Sequence, residues 1–166
     1  MKKFLKVILA GCGTLLSAST FIWLSLSFMN VEVTLLGKKA VESVGKGYEF
    51  AFNQISALED GEFLGSLFAF IFTVLAVLCG LCACYLALTK KKGNAGLLAG
   101  GCAAVFGITA GVLFFLTLQT TGAAEGIDFG GLIKAKANVG VGAILSGITT
   151  ALGGLLCCCS AVVKSK

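Results

Sequence analysis

Residues 63–89 read FLGSLFAFIFTVLAVLCGLCACYLALT, a run with neither a charge nor a proline. As a helix rising about 1.5 Å per residue it would be about 40 Å long, more than the roughly 30 Å of a bilayer's hydrocarbon core. A soluble core helix has no use for an apolar run of that length. Three further apolar runs without proline lie at 4–29, 95–119 and 139–163, the first with Lys6 at its edge. The composition agrees. Of 166 residues, 57% are hydrophobic and 13% charged, against about a quarter charged in an ordinary soluble domain. The expected fold is an all-α membrane protein, a bundle of four transmembrane helices forming one domain over residues 1–166.

Charge sets the expected direction. Lys2 and Lys3 precede the first run and Lys6 sits at its edge, Lys90, Lys91 and Lys92 separate the second from the third, and Lys164 and Lys166 follow the fourth. No acid lies among them. The other side takes Lys38, Lys39, Lys46, Lys134 and Lys136 with all the acids: Glu32, Glu42, Glu49, Glu59, Asp60, Glu62, Glu125 and Asp128. The positive-inside rule then places both termini in the cytoplasm of a multi-pass cell-membrane protein, with outer loops at 30–62 and 120–138. The net charge of +5 therefore reads as topology, and no nucleic-acid partner is expected.

The first run also starts like a signal peptide, and Leu9, Ala10, Gly11 and Cys12 match a bacterial lipobox. Two features favour an uncleaved anchor instead. The apolar stretch before Cys12 is short and holds Lys6, and the run continues through 13–29. Cleavage at Cys12 would reverse the charge pattern of every later loop.

Absent residues exclude chemistry. The chain has no His and no Arg. It lacks the usual near-neutral general base, imidazole metal ligands, Ser/His and Cys/His pairs, and a bidentate guanidinium clamp. The later runs contain no ionisable Asp, Glu or Lys, which argues against proton relays and coupled carriers. The expectation is a non-enzyme without a cofactor or metal. The eight cysteines, Cys12, Cys79, Cys82, Cys84, Cys102, Cys157, Cys158 and Cys159, all fall toward the cytoplasmic ends, where thiols stay reduced. A thiolate metal site competes with the reading of Cys as a small apolar packing residue, and packing is preferred. S-acylation of the Cys157–159 run applies only to a eukaryotic source.

Each run carries small residues at steps of three and four, which keeps them on one helical face. They are Ala10, Gly13, Ser17 and Thr20 in the first. The second has Gly65, Ala69, Thr73, Ala76, Gly80, Ala83 and Ala87, and the third Gly96, Gly100, Ala104, Gly107 and Gly111. The fourth has Gly140, Ala143, Gly147, Ala151, Gly154 and Cys158. Helices in lipid associate by close backbone packing, so Gly80, Gly96, Gly100, Gly107, Gly111, Gly147 and Gly154 are the expected helix-packing positions. Phe68, Phe72, Phe106, Phe114 and Phe115 are expected to face lipid or a partner.

Period-two patterns at 31–36 and 48–52 suggest strands in the first outer loop, with Gly37, Gly45 and Gly47 as turn residues between them. A third short strand is expected at 127–129. Short helices at 39–44 and 53–58 are the competing reading. In the favoured one, a small extracellular sheet caps the bundle, and Val33, Leu35, Tyr48, Phe50, Phe52 and Phe129 form its apolar interaction face. Glu59, Asp60 and Glu62 read as a solvated acidic turn rather than a Ca²⁺ site.

This layout resembles claudin-type tetraspans in topology: termini inside, a longer first outer loop with strand character and a shorter second one. The Trp-Gly-Leu-Trp-Cys-Cys-like signature of that family is absent, since the single Trp is Trp23 inside the first run. The resemblance implies a four-span fold and carries no barrier function. In overall style the chain also resembles small four-span membrane proteins of Lys-rich Gram-positive bacteria, which implies no activity. The expected function is association in the lipid bilayer, as a homo-oligomer or by docking another membrane protein through the outer loops. The alternative is an oligomeric, uncoupled pore or channel.

Overall fold

A computed structural model describes residues 2–35, 38–52, 64–89, 94–116, 127–129 and 133–163. Among the described residues there are five helices: α1 (Lys2–Trp23), α2 (Gly47–Ala51), α3 (Leu64–Leu88), α4 (Ala95–Phe115) and α5 (Val141–Val162). Four strands accompany them: β1 (Ser27–Leu35), β2 (Lys38–Lys46), β3 (Ile127–Phe129) and β4 (Ile133–Val139). All helices but α2 are long and apolar enough to cross a membrane. The protein is a multi-pass membrane protein by that measure.

The four long helices form a ring in which α1 packs on α3 and α5, and α4 packs on α3 and α5. Large apolar side chains cover the outside of this ring. Leu15, Leu78, Tyr85, Leu98, Val105, Val112 and Leu152 are all exposed, as lipid-facing residues of a spanning bundle should be. The interior is built from small residues. Ala10, Ser17 and Thr20 of α1 are buried with Ala69, Thr73, Ala76, Ala83 and Ala87 of α3. On α5, Ala143, Ser146, Thr150 and Cys157 are buried.

The backbones approach closely because these positions lack bulk. A Cβ on Gly107 would lie 2.7 Å from the Thr150 carbonyl oxygen and 3.2 Å from Gly154 Cα. One on Gly13 would lie 2.7 Å from the Gly153 carbonyl oxygen. Gly100, Gly111, Gly147 and Gly154 make the same kind of approach along α4 and α5, and Gly80 faces Thr14 of α1. Gly96 does not share it: its nearest neighbour for a Cβ is Lys6 Nζ at 4.0 Å. Gly96 sits in the first turn of α4, where the helices no longer press together.

Hydroxyls inside the ring bond mostly to their own helices. Thr14, Thr73, Thr149 and Thr150 each donate to a carbonyl four residues back. Thr20 Oγ1 reaches across from α1 to Thr150 Oγ1 at 2.7 Å and Thr149 Oγ1 at 3.1 Å. Such interhelical bonds add to van der Waals packing where the hydrophobic effect cannot drive association.

Several expectations are corrected. The first apolar run does not stay helical to residue 29. α1 stops at Trp23, and β1 begins at Ser27. Its last residues, Phe28 and Met29, are buried as part of the strand that leaves the bundle. The pattern at 48–52 is not a strand. It forms the short helix α2, while the segment read as turn or helix at 39–44 lies inside strand β2. Gly45 pairs with Met29 in that strand, and Gly47 opens α2. Phe114 is not lipid-facing. It is 1% exposed and meets Phe28 edge-on at 5.5 Å. Phe72 and Phe106 stack on each other at 5.9 Å between α3 and α4, whereas Phe68 and Phe115 are exposed. The strand expected at 127–129 is present as β3. The proposed helix at 53–58, Gly37 and the acidic Glu59, Asp60 and Glu62 lie outside the described residues.

Candidate interaction surface

The sheet has the order β2-β1-β4-β3 and is antiparallel throughout. Its base is tied to the bundle. α1 leads into β1 through a tight turn at Leu24–Leu26, where Leu26 N–H donates to the Trp23 carbonyl. Tyr48 N–H donates to the Leu24 carbonyl, and Gly140 N–H, at the start of α5, donates to the Phe28 carbonyl at 2.8 Å. Around these bonds Leu24, Phe28, Met29, Phe50, Ala69, Ala110, Phe114 and Ala143 form one apolar cluster. Phe28 and Met29 are consecutive, yet both are buried. The register of β1 against β2 shifts on either side of Met29, and such an irregularity breaks the in–out alternation of a strand.

α2 supplies the other side of this junction. Lys46 N–H donates to the Glu49 carboxylate at 2.9 Å, closing the first turn, which is the carboxylate half of a capping box. That turn buries Phe50 completely, 6.3 Å from the Phe28 ring. Phe52 follows the helix, half exposed, with its ring edge against Phe70 of α3 at 5.3 Å. Tyr48 points outward under Lys46, whose Nζ lies 5.8 Å from its ring centre.

Beyond the base, the sheet leaves the described helices. Asn30, Glu32 and Thr34 lie on one face of β1 with Lys39, Val41 and Ser43 of β2 and with Lys136 and Asn138 of β4. Val31 and Val33 lie on the other, opposite Glu42 and Ala40 on one side and Ala137 and Ala135 on the other. Val31 and Val33 are half-buried, while Ala40, Val41, Glu42 and Ser43 of β2 are exposed. β2 is one edge of the sheet, nine residues long.

The six residues expected to share an apolar face are therefore divided. Val33 is on the sheet, and Leu35 and Phe129 occupy strand positions whose side chains lie outside the described part. Tyr48, Phe50 and Phe52 belong to α2 and its end, and Phe50 is core. Strand β4 was missed, although Lys134, Ala135, Lys136, Ala137, Asn138 and Val139 alternate polar and apolar. The sequence reading leaves that segment in the second outer loop, 120–138, beside the fourth apolar run.

Electrostatics favour the β1–β2 pairing. Lys39 Nζ meets Glu32 Oε1 at 2.8 Å. The hydrogen bond and charge of Lys39 hold the Glu32 carboxyl below its ordinary value; desolvation opposes this, and Lys136, opposite on β4, adds a smaller pull. The same contact raises Lys39 above its ordinary value. A depressed carboxyl contributes stability above its unfolded pKa and loses it as pH falls through the folded value. A raised ammonium contributes below its unfolded pKa and loses it as pH rises through the folded one. The pair therefore supports the hairpin across the neutral range. Both groups face solvent, so the effect is small and screened by salt. Amide exchange in β2, corrected for intrinsic rates, should accelerate on acidification in the native protein and less so in Glu32→Gln. An equal response of the two proteins would show that this pair does not hold the hairpin.

Among the described residues, no three Cys, Asp or Glu side chains lie together as a metal site would require. All eight cysteines are free thiols. Comparison with protein-family models, with curated proteins and with solved structures finds no match to this chain.

Proposed function

We propose that this chain is a non-enzymatic integral membrane protein that acts by association through the sheet at one end of its bundle. It joins copies of itself or docks another membrane protein. The observation that carries this reading is the exposed edge strand β2, rooted in a buried aromatic junction and projecting beyond the helices. Val41 on this strand is 69% exposed. Among the described residues no strand pairs with the outer edge of β2, and such an edge strand offers backbone groups to another chain. The bundle interior supports the same reading from the other side. It is filled by contacts at backbone distance, as at Gly107 and Thr150, so one copy offers no conducting path of its own.

In this reading the sheet is extracellular and both termini are cytoplasmic. The Lys-only segments at the opposite end support that orientation. The thiols supply a check, since all lie in the half of the bundle away from the sheet, with Cys12 near the midpoint. An impermeant maleimide applied to intact cells should leave the native protein unlabelled. Strong labelling would reverse the orientation.

The function itself is tested by cross-linking in native membranes, sizing of the purified protein and conductance in a planar bilayer. A defined complex without conductance is expected. Conductance from the sized species would replace association with an oligomeric pore.

A further inference from the structure

We propose that α2 and the helix ends beside it seat one anionic phospholipid of the leaflet on the sheet side, its phosphate on the Lys46 ammonium and an acyl chain along the rings of Phe52, Phe70 and Phe21. Helical spacing builds the site. Tyr48 and Phe52 are four residues apart, and Phe52 N–H donates to the Tyr48 carbonyl at 3.1 Å. The turn therefore includes both and stacks them on one face of α2. Phe50 turns to the opposite side and is buried, while Tyr48 and Phe52 are exposed. The outward face of α2 runs from a cation, through a phenol, to a bare phenyl ring.

Depth in the bilayer turns this face toward lipid. The Phe52 ring meets Phe70 of α3 edge-on at 5.3 Å, and Phe70 meets Phe21 of α1 edge-on at 5.8 Å. Phe70 lies five residues inside the membrane-length segment Gly65–Leu88, about 8 Å below its end. That segment has 24 residues and is about 36 Å long, against roughly 30 Å of hydrocarbon. Centred in the bilayer, it carries Phe70 into the acyl chains and draws Phe52 down beside it. Phe68 and Ile71, flanking Phe70 on α3, and Ile22, next to Phe21 on α1, are exposed, as lipid-facing residues are.

The cation sits at the rim. Tyr48 N–H donates to the Leu24 carbonyl, which holds the start of α2 at the end of α1. Lys46 Nζ is 5.8 Å from the centre of the exposed Tyr48 ring. Among the described residues this ammonium has no carboxylate partner, the ion pair there being Lys39 with Glu32. Glu49, the nearest acid in sequence, is engaged by the Lys46 amide. Lysines and amphipathic rings gather at the headgroup level of a bilayer. There an unpaired ammonium attracts a net negative headgroup more than a zwitterionic one. The site is separate from the β2 edge, so it takes lipid whether or not β2 meets another chain.

The test is photo-cross-linking of the full-length protein in nanodiscs by phosphatidylglycerol with a photoreactive group in its acyl chain. Phosphatidylcholine bearing the same group is the comparison. Labelled residues are located by mass spectrometry, and yields are normalised to Ile144 and Ile148, exposed on the sheet-side half of α5. On Phe21, Phe52 and Phe70 the phosphatidylglycerol probe should exceed the phosphatidylcholine probe roughly fivefold. Lys46→Gln should remove that preference, and Lys46→Arg should keep it. Lys136→Gln, at an exposed position of β4, should leave it native. Because Lys46 is exposed, protease resistance of the sheet should stay native in all variants. Equal labelling of the three rings by both probes in the native protein overturns the site and leaves an ordinary lipid-facing surface. So does a preference that survives Lys46→Gln. Labelling of α5 without labelling of the rings also overturns it and points to a protein surface over them.

Discussion

Replacing Gly107 with Leu should prevent the bundle from assembling. A Cβ alone would sit 2.7 Å from the Thr150 carbonyl oxygen, and Gly154 Cα lies just beyond. Both obstacles are backbone, so no rotamer change relieves the clash. α4 and α5 would have to separate, losing the contacts that hold helices together in lipid. Overpacking costs typically 1–3 kcal/mol and more where nothing can yield, so about 3 kcal/mol or more is expected here. The matched control is Val105→Leu, because Val105 is 62% exposed on the outer side of the same helix. Thermal unfolding in detergent should show a large loss for Gly107→Leu and almost none for Val105→Leu. Equal tolerance would mean that the small-residue face of α4 is not an interface. Phe114, which the sequence pattern would offer as a lipid-facing control, is unsuitable because it is core.

The second large effect belongs to Phe50→Asp. Phe50 is fully buried between α2 and the Phe28 ring. Truncating a buried Phe costs about 3–5 kcal/mol, and an ionised carboxylate left there without a partner adds a desolvation cost. The long helices do not depend on this side chain for their own small-residue contacts. Membrane insertion should therefore survive while the sheet loses its anchor. Proteolysis within the sheet should become fast, and self-association should fall with it. Phe50→Leu, which keeps the site apolar, should show a much smaller change. If Phe50→Asp leaves protease resistance intact, the aromatic junction does not support the sheet.

These two sites differ in how far the sequence reveals them. The spans of α3, α4 and α5 follow from apolar run length, and their ends agree with it to within a few residues. The small faces follow from helical spacing, because steps of three and four put residues on one side whatever the partner is. Gly107 was therefore legible as a packing position, while Gly96, on the same spacing, was not separable from it. Spacing shows the face of a helix but not where along it a neighbour comes near.

The sheet end shows the opposite balance. That β1 and β3 are strands could be read from alternation. Apolar character could not show where α1 ends, since Phe28 and Met29 serve a buried strand as well as a membrane helix. Nor could alternation distinguish a strand from a short amphipathic turn over 48–52. There a capping interaction between Lys46 and Glu49 and the pocket against Phe28 decide for helix. Composition and periodicity alone determined four membrane-length helices, their small inner faces and an acidic, partly β-structured end. Only the tertiary structure decided the strand order, the burial of Phe50 and Phe114, and the placing of β2 at the edge. Each of these depends on which residues distant in sequence meet, and local pattern carries no record of that.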